Sequence, residues 1–332
     1  MLYVTTKNKH DAYTAYRTLH ADRANDGGLF MPFRMVNLDR QQVLELQDKS
    51  FGQCVAETLN RFFSCGLTGW DVEFCIGRYP TQTVDVGHRI LVAQTWHNQA
   101  WDYAWAERTL AEKLCGDLPE GQVPAWVKIA IRVAFLTGVF GQLLEQGAVS
   151  PENPVDVAVS GGDFSIPMSV WYARQMGLPI ANIICGCADN SPAWDLLHLG
   201  TVKTEENMPA FLEQLICETL GHKEAQRYGE VCTEGGVYSL LPVEAEKLRS
   251  GMFAGVVSQD RVETLISNVY NTDAYILGPK ASIAYGGLLD YRAKTGANRL
   301  ALLLAERSPV CDGDLVAKAM GITKNELREK LQ

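Results

Sequence analysis

Long apolar runs are scarce in this sequence. Its most apolar stretch, Val133 to Leu144, has twelve residues and follows Lys128 and Arg132, short of the ~20 that a bilayer span needs. A buried helix is expected there, and no membrane partner. Behind Met1 stands a polar stretch with Lys7, Lys9 and His10 rather than an apolar run, so no sorting signal is expected and the expected location is cytoplasmic. A concentrated basic surface is lacking too. With a net charge of −9 and a pI near 5.2, sequence-independent binding to phosphate backbones is disfavoured and nucleic acid is not an expected partner.

Paired cysteines are also missing as a pattern: nine thiols, an odd number, are scattered through the chain, which argues against a disulfide framework. Cys185 and Cys187 flank one glycine in an apolar run. Two ligands cannot close a tetrahedral zinc site, so they are expected to fill core as small buried hydrophobes. No two histidines have metal-ligand spacing and no serine lies in a Gly-x-Ser-x-Gly setting, which removes the commonest zinc and hydrolase signatures. There is no internal repeat and no low-complexity tract.

What remains is a globular composition, 47% hydrophobic and 21% charged over 332 residues, enough for one large domain or two modest ones. The first helix is expected from Asp11, with Ala12, Tyr16 and Leu19 on one side. Leu29 to Met31 form a short buried segment after the Asn25 to Gly28 turn, and a helical pattern covers Gln41 to Phe63. Residues 70 to 95 read as strands with turns, and Asp102 to Leu114 as a helix. Gly116 to Pro124 is a loop and the preferred boundary, dividing the chain into 1–120 and 121–332. In the second part a strand at Val155 to Val159, a helix through Met176 and a strand at Ile180 to Cys187 make a βαβ unit. Ser258 caps a helix carrying Val262, Leu265, Ile266 and Val269; Ala274 to Leu277 and Leu300 to Ala305 read as strands flanking a helix near Ser282 to Ala293. The expected class is α/β, an open and mostly parallel sheet with helices on both faces.

The glycine turn Ser160-Gly161-Gly162-Asp163-Phe164-Ser165 lies between the strand ending at Val159 and the next helix. There, glycines allow a tight turn, and the free amides and dipole of the helix favour an anion, so a phosphate or carboxylate is one expected occupant. Such turns also occur without a ligand, and the carboxylate of Asp163 can take the anion's place or repel it. His97 and Asp102 could exchange protons, but Asp102 suits a helix cap better. At the C-terminus, Asp314 to Met320 and a capped helix from Thr323 to Leu331 could form a helix-turn-helix; a docked terminal hairpin is expected instead, because few cations lie near it.

The stretch VDVAVSGGDFSIPMSVWYARQMGLPIANIICGCADN, Val155 to Asn190, resembles the segment of threonine synthases in which a strand enters the loop that cradles the phosphate of pyridoxal phosphate. DGGLFMP at Asp26 to Pro32, Trp126 to Leu144, and YILGPKASIAYGGLLDYR at Tyr275 to Arg292 resemble other parts of that family in the same order. The resemblance implies a fold-type II pyridoxal-phosphate enzyme scaffold, with Gly161, Gly162, Asp163, Phe164 and Ser165 at the cofactor phosphate and Ser282 near its pyridine nitrogen. It also exposes departures. Family members carry a Schiff-base lysine in a His-Gly-Pro-Thr-x-Ala-Phe-Lys-Asp context, whereas Trp96 to Ala104 reads WHNQAWDYA without it. The Ser-Gly-Asp-Thr-Gly loop of the family's smaller catalytic domain is absent, and only Gly116 to Pro124 stands where most of that domain is expected.

Two functions follow. The first is a threonine synthase-like pseudoenzyme that has lost cofactor catalysis, with no catalytic residue or metal site assigned, binding a small anion at the glycine turn or a partner, and forming a homodimer over apolar surface left by the missing domain. The second is an active pyridoxal-phosphate lyase of amino-acid metabolism, acting on an amino-acid or O-phosphohomoserine-like substrate through a replacement lysine, Lys280 or Lys113, or a partner subunit.

Overall fold

The computed structural model describes residues 1–78, 81–97, 102–118, 121–189, 191–204 and 208–331. The first part contributes β1 (Leu2–Thr5), β2 (Tyr13–Thr14), α1 (Ala15–His20), β3 (Phe30–Pro32), α2 (Arg40–Leu44), α3 (Phe51–Phe63), α4 (Gly69–Ile76), β4 (Gln82–Asp85), β5 (Ile90–Gln94) and α5 (Tyr103–Cys115). Next come α6 (Ala125–Glu145), β6 (Val155–Ser160), α7 (Ser165–Met176), β7 (Ile180–Ala188), α8 (Pro192–Trp194), β8 (Thr201–Thr204), α9 (Leu212–Leu220) and α10 (His222–Glu234). The chain closes with β9 (Gly236–Ser239), α11 (Pro242–Gly251), β10 (Phe253–Val257), α12 (Gln259–Asp273), α13 (Pro279–Thr295), β11 (Ala301–Ala305), α14 (Gly313–Met320) and α15 (Lys324–Lys330).

The central sheet runs β10-β7-β6-β11-β5-β4 and is parallel except at its β4 edge, which pairs antiparallel with β5. Its inner strands are apolar almost throughout because helices cover both faces. On one face lies a core drawn from α3, α6 and α7, with Trp126, Phe140 and Tyr172 fully buried; the other face packs on α12, α13 and α14. The sheet takes strands from both sides of the 116–124 loop. Smaller sheets, β2-β1-β3 and β8-β9, flank it.

Glycine permits a close approach of helix to sheet. A Cβ on Gly186 of β7 would stand 2.1 Å from the Ile283 carbonyl oxygen, and one on Gly287 would stand 2.8 Å from Gly186 Cα. Helix α13 therefore rests backbone to backbone on β7, which residues with side chains would forbid.

The βαβ unit, the helix capped by Ser258 and the C-terminal pair are where the sequence put them, with Thr323 closing a capping box and Leu327 buried. Several expectations are corrected. The first helix starts at Ala15, not Asp11, because Tyr13 and Thr14 pair with β1. Residues 69 to 76 are helical: Thr68 and Asp71 form a capping box that outweighs the β-prone composition. Ala274 to Leu277 is not a strand; Ala274 is the left-handed cap of α12. The strand instead is Phe253–Val257, hidden by Gly255 in its middle. The apolar helix is also longer than its twelve-residue centre. At 21 residues α6 could cross a bilayer by length and composition, yet 89% of its most apolar window is buried inside this protein's own core.

Candidate anion site at the strand ends

The parallel strands deliver their carboxyl ends to one rim, where ligands of open α/β sheets bind. Strand β6 ends at Ser160 and enters the glycine turn. The Gly161 N–H donates to the Gly186 carbonyl at 2.7 Å, so the turn is tied to the neighbouring strand. Gly162 has φ 45°, and Phe164, the residue preceding α7, has φ 68°. A bulky residue in that region carries strain; here its ring is fully buried, which holds the conformation.

The amides of this turn are largely spoken for. Phe164 N–H donates back to the Gly161 carbonyl at 2.7 Å, and Ser165 N–H donates to Asp163 Oδ1 at 3.0 Å. Pro167, in the first turn of α7, has no N–H to offer. The Ser165 hydroxyl also donates to Asp163 Oδ1, and Lys128 Nζ reaches Asp163 Oδ2 at 3.2 Å. Burial would raise the Asp163 carboxyl; the Ser165 hydroxyl, Lys128 and Arg132 overcome it and pull the group down to about 2. Asp163 is thus a fixed anion, held where an incoming anion would be bound.

Behind it stands a charge cluster. Arg132 Nη1 donates to the Ser165 hydroxyl at 2.6 Å, while its Nε donates to Glu107, and its guanidinium lies 5.4 Å over the Tyr103 ring. Arg132 and Glu107 are both buried. Glu306, half-buried just past β11, is pushed up by burial against the pull of Arg132 and Lys280. Lys128 and Arg132 thereby pair with Asp163 and Glu107, and the charges of Arg132 and Lys280 also act on Glu306. The enclosed space lined by Thr95, Tyr103, Phe135 and Glu306 is about 10 Å³, no more than one water.

Ser282 is fully buried in the first turn of α13, and its hydroxyl donates to the Gly278 carbonyl at 3.0 Å. The next residue, Ile283, lies against Gly186 beneath the glycine turn, so the two expected parts of the site share one strand. Lys280 is exposed, and Lys113 pairs with Asp71 at 3.3 Å on α4. Asp102 caps α5 by accepting from Trp105 N–H at 2.9 Å. The lysine-like stretch includes residues 98–101, which lie outside the described residues. Cys185 and Cys187 are buried with their sulfurs 3.7 Å apart, and no group of three or more His, Cys, Asp or Glu suited to a metal occurs among the described residues. Sequence reasoning missed Lys128, Arg132, Glu107 and Glu306 as site residues. The available signal was two cations four apart on an otherwise apolar helix, which charged residues occupy only when paired.

A family model for the threonine synthase N terminus matches residues 2–78. Human threonine synthase-like 1 is 27% identical over 176 residues, 48% of this chain and 23% of that protein, so the match spans less than a quarter of the relative. The pyridoxal-phosphate-bound threonine synthase of Brucella melitensis superposes with a TM-score of 0.84 at 18% identity, covering 97% of this chain and 92% of that one. The yeast enzyme gives 0.80 at 13% identity, covering 99% and 93%. The chain has the threonine synthase fold, and its residues 2–78 match the threonine synthase N terminus. Its sheet, with a mostly parallel order and helices on both faces, follows that fold.

Proposed function

We propose that this threonine synthase relative works by binding rather than by pyridoxal-phosphate chemistry. The observation that carries the reading is the carboxylate of Asp163, which accepts from both the amide and the hydroxyl of Ser165. A cofactor phosphate at that turn would meet a fixed like charge, and the cations around it, Lys128 and Arg132, already serve Asp163 and Glu107. The residues present do not fit the group. When bound in an enzyme the cofactor stabilises carbanions, but it is anchored covalently through a lysine, and Trp96 to Ala104 contains none.

The chain then offers a rigid α/β platform whose rim binds a small neutral or zwitterionic molecule or a protein partner. A homodimer is part of the reading: Trp70 and Phe74, one turn apart on α4, are 72% and 83% exposed, and such apolar surface is commonly covered in an assembly. Titrating the protein with pyridoxal phosphate, treating with borohydride and mapping adducts by mass spectrometry tests the central point. No visible absorbance and no reduced adduct above the level of surface lysines is expected. A stoichiometric adduct on Lys280 or Lys113 would overturn the reading and favour the active-lyase alternative. Light scattering at micromolar concentration tests the dimer, and a monomer would remove that part.

A further inference from the structure

A second cavity lies at the opposite end of the same strands. It opens at the amino ends of β7 and β10, between α7, α11 and α13, with a volume of about 290 Å³. Asn182 on its floor and Gly186 under the glycine turn are four residues apart on β7, roughly 13 Å at ~3.3 Å per residue. The two sites are therefore separate.

Its lining is unusual for an acidic protein. Arg174, Arg249, Lys294 and His198 face it, and no aspartate or glutamate lines it. The recorded partners of its three permanent cations are not carboxylates. The Arg174 guanidinium lies 4.8 Å over the Trp171 ring, Arg249 Nε donates to the Ala245 carbonyl at 3.0 Å, and Lys294 Nζ stands 5.7 Å from the Phe253 ring centroid. Burial pulls Arg174 below the usual guanidinium value with nothing opposing it. Asp156, buried behind the floor, does not line the cavity: it accepts from Asn182 at 2.7 Å and stands 3.7 Å from Arg299. Three cations line the cavity with no carboxylate among the lining residues, and an anion carrying more than one charge relieves their mutual repulsion. Phe253 and Tyr291, packed edge to face at 5.3 Å, add an apolar wall against which a ring can lie.

From this geometry we infer that the cavity between α7, α11 and α13 binds a small phosphomonoester, its phosphate on Arg174, Arg249 and Lys294 and its organic part against Phe253 and Tyr291. Size agrees, since small-molecule pockets begin near ~300 Å³. The proposal does not depend on the state of the glycine turn. Calorimetric titration of the intact protein at low salt with adenosine monophosphate, and separately with inorganic phosphate, tests it. The nucleotide is expected to saturate one site and to bind several-fold more tightly than phosphate. Arg249→Ala combined with Lys294→Ala, both exposed at the rim, should weaken it by roughly tenfold or more, while Lys247→Ala on the same helix leaves it unchanged. Equal affinity for the double variant and Lys247→Ala would overturn the inference, as would nucleotide binding no tighter than phosphate or the absence of saturation by either probe.

Discussion

Replacing Asp163 by asparagine separates a closed anion seat from an open one. The carboxyl is held at about 2 against its ordinary 3.8, a difference worth roughly 2 kcal/mol for a sealed group. Its side chain is 51% exposed, so solvent screening reduces the contribution to about 1 kcal/mol. Because the folded value is the depressed one, this stability is fully present above about pH 4 and is lost as pH falls through about 2. Asp163→Asn keeps an oxygen for Ser165 but frees Lys128 and removes the like charge. Thermal melts at pH 7 should therefore show a loss of about 1 kcal/mol, or ~1–2 °C for a chain of this size. The difference from wild type should vanish as pH falls toward 2. In the same variant, phosphate or sulfate should bind several-fold more tightly at low salt, because the helix start and Lys128 now face an empty place. If the variant loses much more stability and its phosphate affinity stays flat, Asp163 is a structural cap and the turn is not an anion seat.

Arg132→Met should cost about 3–5 kcal/mol by chemical denaturation, since it leaves Glu107 buried without its partner; adding Glu107→Leu should recover much of that, and no recovery would mean that Arg132 acts mainly through Tyr103 and Ser165. Gly287→Ala forces a methyl to within 2.8 Å of Gly186 Cα and should destabilise by about 1–3 kcal/mol or more, whereas a neutral result would mean α13 can lift from β7 freely. Thr68→Ala removes the cap that accepts from Asp71 N–H and should cost about 1 kcal/mol, with the loss of helix α4 readable as faster amide exchange over residues 69–76.

Much of the scaffold was legible along the chain because its signals are local. The run VDVAVS, the glycines after it and the Met176-Gly177-Leu178-Pro179 stop mark a strand, a turn and a helix end within a few residues, and each depends on backbone sterics that neighbours in sequence determine. Ser258 and Thr323 declare their helices for the same reason. That Trp96 to Ala104 contains no lysine is likewise a fact of the sequence alone. Strand β10 was illegible because Gly255 breaks its apolar pattern, and the reason for that glycine, the close backbone of Gly287, lies 32 positions along the chain. The same holds for the site. Asp163 could be read as a ligand's rival or as a loop residue until Lys128 and Arg132, 35 and 31 positions earlier, were brought against it by the packing of α6 on α7. Sequence determined which backbone conformations were available; only tertiary packing decided which charges meet, because a buried charge takes its partner from whatever the fold sets within a few ångströms, at any distance along the chain.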